Sequence, residues 1–162
     1  MKELSVWEIL VNEAKEVASK ERILSKVLTE FILERENLAE ALGWRLAARL
    51  VKNSVPESDI RDLIKTAFES DQEILSSVEY DLIAVTERDP ACNDYISPFL
   101  YFKGFQALSC YRVANSLWKN NRKELALYLQ SLVAVVYSVD IHPAAKIGKG
   151  ILLDHATGFV AG

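Results

Sequence analysis

The sequence is poor in the residues that cross-link or punctuate a chain: two cysteines, four prolines and six glycines among 162 residues. Cys92 and Cys110 have no CxxC spacing, so they read as reduced thiols of a cytosolic protein and not as a disulfide framework. Scarce glycine and proline argue against low-complexity disorder. An excess of basic charge is also missing. Lys plus Arg is 19 against 23 for Asp plus Glu, a net charge of -4. That balance argues against a nucleic acid or an anionic membrane as the main partner. The longest apolar run, residues 132–137, is far too short to span a bilayer. The N-terminus, MKELSVWEILVNEAKE, sets acids among its apolar residues and lacks the core of a signal peptide. The chain is therefore expected to be cytoplasmic. What it does have is hydrophobic residues, 50% of the total, enough for a core at this length.

Most of that content is spaced as helices. Ser5 with Glu8, Asn37 with Glu40 and Ser70 with Glu73 each show the capping-box spacing. Pro56 and Pro98 suit a first helical turn, where no amide donor is lost. Apolar spacing predicts helices over 5–20, 22–36, 38–52, 57–69 and 71–87. Asp89-Pro90 ends the last of these, because a residue before proline avoids the α region. After a polar stretch at 88–97, two more helices are predicted over 98–120 and 122–138. This second group is dense in aromatics, among them Phe99, Phe105, Tyr111, Trp118 and Tyr137. Their helical spacing reads as core packing, with some apolar surface available to an oligomer interface.

Residues 140–162 follow a different rule. Ile141, Ile147, Leu153 and Phe159 recur at an interval of six, which neither an α-helix nor an alternating strand produces. Six-residue periodicity with intervening glycine is the pattern of a hexapeptide parallel β-helix. Both histidines of the chain, His142 and His155, also lie here, beside Asp140 and Asp154. Histidine serves as a general base near neutral pH. Two histidines with no nearby cysteine do not make a recognisable zinc set, so no metal is expected. A GxSxG elbow is absent, and Gly148-Lys149-Gly150 matches no nucleotide-binding loop. Base-catalysed transfer without a metal remains. Taken alone, Asp154-His155 is a turn pair, Asp89 a turn former, and Asp140 a cap on the transition out of the last helix.

The run DIHPAAKIGKGILLDHATG closely resembles the start of the catalytic domain of the bacterial-type serine O-acetyltransferase family. ERDPA at 87–91, SPFLYFKGFQAL at 97–108 and YRVANSLW at 111–118 resemble it in the same order. The resemblance implies a mainly α fold: a helical, oligomer-forming domain over 1–139, then the first coil of a left-handed parallel β-helix over 140–162. It implies acetyl transfer from acetyl-CoA, as co-substrate, to the L-serine hydroxyl, the activating step of cysteine biosynthesis. By position in the motifs, His155 matches the catalytic base and Asp140 the acid that supports it. Asp154 and Asp89 match the carboxylates that bind the amino acid, and His142 matches a structural position. The family assembles as a hexamer, a dimer of trimers, and its C-terminal tail engages cysteine synthase.

The chain stops at Gly162, little more than one coil into the repeat. The later coils, with the acetyl-CoA groove, a second histidine and an arginine, and the C-terminal tail are expected beyond residue 162. The expectation is that these residues alone are inactive. The alternatives are a non-catalytic truncated module for helical oligomerisation and a hexapeptide acyltransferase with another acceptor.

Overall fold

The computed structural model describes residues 3–51 and 54–162. Helix α1, Val6–Lys20, starts at a reciprocal capping box: the Glu8 amide donates to the Ser5 hydroxyl and the Ser5 amide to the Glu8 carboxylate. Helix α2, Arg22–Leu28, does not run on to residue 36 as the sequence predicts. It passes into one π-helical turn, Thr29–Leu33, which buries the adjacent Phe31 and Ile32 together. Helix α3 spans Leu38–Leu50, so Lys52, the predicted end, lies outside the described residues. Asn37 caps it, but Glu40 turns back to the amide of Glu36 and only half of the predicted box forms.

Helix α4, Glu57–Ser70, packs along α3 with Pro56 as its N-cap. The predicted cap Ser70 instead closes α4, donating to the Ala67 carbonyl. Asp71 caps α5, Gln72–Arg88, by accepting from the Glu73 and Ile74 amides. The Asp71 carboxylate oxygen accepts from two free amides of the first turn at once, whereas the Ser70 hydroxyl is already committed to the Ala67 carbonyl. The predicted helix 98–120 is in fact two, α6 (Ile96–Tyr101) and α7 (Lys103–Lys119), broken where Phe102 becomes extended. The Glu13 carboxylate of α1 accepts from the Tyr95 and Ile96 amides and ties down the polar stretch before α6. Burial raises the Glu13 carboxyl above the ordinary range, against the pull of those two amides.

Helix α7 is buried on nearly every side, from Gly104 through Leu117, and is the centre of the molecule. Helix α8, Lys123–Tyr137, packs along it and ends at Ser138 in the left-handed conformation, φ 55°. Strand β1, Val139–Ile141, follows at once and pairs in parallel with β2, Phe159–Ala161. Register Val139↔Phe159 puts one circuit of the chain between them. The six-residue set does not share one burial. Ile141 is buried, Ile147 and Leu153 are half-buried, and Phe159 is 37% exposed. Among the described residues no helix is long and apolar enough to cross a membrane.

The segment between the strands has almost no ladder of its own and is fastened by side chains of the helical body. Tyr111 of α7 donates to the Ala145 carbonyl at 2.5 Å and accepts from the Ile147 amide at 3.3 Å. Asn115, one turn on, donates to the Pro143 carbonyl at 2.7 Å. Between them Arg112 forms a buried bidentate pair with Asp81 of α5, at 2.6 and 2.8 Å, and also donates to the Gly148 carbonyl. Asp81 in turn accepts from the Ile151 amide at 2.9 Å. Burial lifts the Asp81 carboxyl above the ordinary range, while Arg112 and the Gly150 and Ile151 amides pull it back. Arg88, at the end of α5, donates to the Gly150 carbonyl.

Candidate functional site

A cleft of about 410 Å³ opens where the end of α5, the α6–α7 junction and the terminal segment meet. Asp89, Ala91, Tyr101, Phe102, Lys103 and Gly104 line one side, with Asp154 and His155 on the other. Three of the four residues singled out from sequence therefore share one space, although Asp89 and His155 belong to distant parts of the chain. Asp89 is placed by the stop of α5 before Pro90. Its Oδ1 accepts from the Ala91 amide at 2.9 Å and its carbonyl from the Cys92 amide, which holds the carboxylate at the cleft edge.

Asp154 and His155 sit on a tight turn. The Ala156 amide donates to the Asp154 carbonyl at 2.5 Å, and the Phe159 amide to the Ala156 carbonyl at 3.0 Å. His155 and Ala156 are both left-handed, φ 50° and 62°, and neither is glycine. Each such residue costs of order 1–3 kcal/mol and persists only where its surroundings over-determine it. The turn lifts the imidazole clear of the protein: its side chain is 93% exposed, with Nε2 3.7 Å from Asp154 Oδ1.

Asp140 is not gathered with the other three. It is the middle residue of β1, between buried Val139 and Ile141, so strand alternation turns it outward. There it accepts from the Gln130 amide of α8 at 2.6 Å, and among the described residues no hydrogen bond joins it to His155. In this arrangement the carboxylate beside the His155 imidazole is that of Asp154. His142 has a structural setting: its Nδ1 accepts from the Ala144 amide and its ring meets Trp118 edge-on at 5.0 Å. Both cysteines are free and buried, their thiols pushed up by burial, and neither lines the cleft. Among the described residues no three His, Cys, Asp or Glu side chains are gathered as a metal site.

Sequence reasoning missed Lys103, whose ammonium enters the cleft and donates to the Thr157 hydroxyl. It also missed the Asp81–Arg112 pair. A charged residue at each of two inward helix positions was the available signal, but the pairing needs the fold to be known. The arrangement offers two carboxylates for a cation, an exposed imidazole for a proton, and an aromatic and aliphatic wall.

The sequence profile of the N-terminal region of serine acetyltransferase matches residues 6–110. Serine acetyltransferase of Haemophilus influenzae is 45% identical over 159 residues, 98% of this chain and 60% of that protein. The solved serine acetyltransferase of Neisseria gonorrhoeae in complex with serine superposes with a TM-score of 0.94 at 40% identity, covering 98% of this chain and 65% of that one. A solved serine acetyltransferase in complex with CoA gives 0.94 at 45% identity, covering 97% and 66%. The chain spans about three fifths of the length of the curated relatives it matches.

Proposed function

The chain belongs to the serine acetyltransferase family, and on that premise we propose that its cleft is the serine side of an acetyl-transfer site. The observation that carries the reading is the meeting of Asp89, Asp154 and His155 in one cleft. Asp89 and Asp154 bind the ammonium of L-serine, where charge-assisted hydrogen bonds fix its orientation. His155 accepts the hydroxyl proton as the serine oxygen attacks the thioester carbonyl of acetyl-CoA. The carbon–sulfur bond breaks, and the proton passes to the departing CoA sulfur. The products are O-acetylserine, for cysteine biosynthesis, and CoA. A positioned general base contributes roughly 10²–10⁴-fold.

In this reading Asp140 exchanges Gln130 for the imidazole in the assembled enzyme and fixes its tautomer. Acetyl-CoA is the co-substrate in this reading, in keeping with the CoA complex of a similar protein. The parallel pairing of β1 with β2 supports a first coil of a left-handed β-helix. Exposed Ile23 (88%), Val135 (68%) and Val160 (73%) support a homo-oligomer, by family a dimer of trimers. Cytoplasmic location and the family's partnership with cysteine synthase complete the proposal.

A second reading is a non-catalytic module for helical oligomerisation. It is favoured by the separation of Asp140 from an imidazole that is 93% exposed. The test is serine-dependent release of CoA thiol from acetyl-CoA. Turnover that His155→Ala reduces at least 10²-fold supports the first reading. Turnover indifferent to His155→Ala refutes it.

A further inference from the structure

The left-handed turn that presents His155 is held from outside. Its residues lie at the end of an irregular segment, and two of the three bonds nearest to them are short-range, Ala156 to Asp154 and Phe159 to Ala156. The third joins the Gly158 amide to the Ser138 carbonyl at 2.9 Å and anchors only the far end. On the cleft side, the first two residues of α7 bracket the turn. Lys103 donates to Thr157, two residues after His155. Gly104 lies so close to the turn that a Cβ there would overlap the Leu153 carbonyl oxygen and come within 3.3 Å of the Ala156 Cβ. Only a residue without a side chain lets the helix approach this closely. Ala156 is consequently buried, 8% exposed, although His155 beside it projects into solvent.

We infer that Lys103 and Gly104 are positioning residues for His155: they clamp the His155–Ala156 turn in its left-handed form against the start of α7. Gly104 admits the backbone of the turn to the helix surface, and Lys103 fastens its outer end through Thr157. Phe102, extended between α6 and α7, sets both residues at a helix start that faces the cleft. The clamp is a property of the fold. Its importance for acetyl transfer rests on the reaction proposed above.

Two readouts on the full chain separate the clamp from the reaction. The first is amide exchange at Ala156, Gly158 and Phe159, with the amides of α3 and α4 as the internal reference. Lys103→Met and Thr157→Val should each speed exchange at these three sites about tenfold, and the double variant should do little more, because the two residues share one bond. Gly104→Ala should speed the same sites without unfolding α3 and α4. Unchanged exchange in Lys103→Met and Thr157→Val overturns the clamp, and Thr157, being exposed, gives a variant that folds.

The second readout is serine-dependent turnover. Lys103→Met should lower kcat roughly ten- to a hundred-fold, as misplacement of a catalytic group does, with the KM for serine within about threefold. Lys103→Arg, which keeps a donor for Thr157, should recover most of the loss. A raised KM at unchanged kcat overturns the positioning role and makes Lys103 a substrate contact. Faster exchange in a protein whose serine turnover is indifferent to His155→Ala leaves the clamp standing and refutes the proposed reaction.

Discussion

Replacing Asp81 by leucine tests the tie between the helical body and the terminal segment. Asp81 is fully buried and Arg112 is 5% exposed, so neither charge has water as an alternative partner. Removing one member of such a pair costs about 3–5 kcal/mol, because the other charge stays buried without compensation. The Ile151 amide loses its acceptor as well, at about 1–3 kcal/mol. For a chain of this size each kcal/mol lowers Tm by about 2–4 °C, so Asp81→Leu, at a combined cost of about 4 kcal/mol or more, should drop it by at least roughly 8 °C. Urea unfolding followed by circular dichroism measures the free energy directly. Arg112→Leu should be comparable, as it strands the carboxylate and the Gly148 carbonyl. The double variant removes both charges and leaves backbone groups, the Gly148 carbonyl and the Gly150 and Ile151 amides, without those partners. It should therefore be less destabilised than the two single variants added together, by roughly 3 kcal/mol. Single costs that add to within about 0.5 kcal/mol would refute the reasoning, since independent residues behave that way.

Two further outcomes follow from other contacts. Burial raises the Glu13 carboxyl, so folding favours its protonated form: that contribution is complete below the ordinary Glu range and is lost as pH rises through the folded value. Glu13→Gln, whose amide oxygen can still accept from Tyr95 and Ile96, should match or exceed the wild-type Tm at pH 7, and the gap should close near pH 4; a lower Tm at pH 7 contradicts it. Tyr111→Phe removes the nearer of two donors to the Ala145 carbonyl, leaving Asn115 at 3.3 Å, and should cost about 0.5–1.5 kcal/mol. Exchange at the Ile147 amide should rise with it, and protection retained there would show that the Tyr111 hydroxyl is dispensable.

Helix existence was legible wherever apolar spacing and caps agreed, as at Ser5–Glu8 and at Asp89-Pro90. It failed where tertiary contacts overrode local signals. The break at Phe102 carries neither glycine nor proline at the break itself; the close approach of Gly104 to Leu153 accompanies it, and that contact is invisible in the chain. The π turn at Thr29–Leu33 likewise serves the burial of Phe31 and Ile32. Motif resemblance singled out Asp89, Asp154 and His155, which the fold gathers in one cleft; the contact of Asp140 with Gln130 depends on how β1 lies against α8 and has no signature in the sequence. Lys103 was passed over because a lysine at a helix start looks like ordinary solvated charge.

The bonds that shape residues 143–151 reach back across 28 to 70 positions of the chain, from Asn115 to Asp81. The geometry of this segment is thus written in the helices and not in the segment itself. It is not portable. Grafted onto another scaffold, the same residues would lose Tyr111, Arg112, Asn115 and Asp81 together. A cut at the change of architecture after residue 139 would likewise strand those four side chains in the helical body. The border between helix and strand is therefore no border for engineering: the smallest transferable unit that keeps the His155 turn in shape includes α5, α7 and everything that buries them.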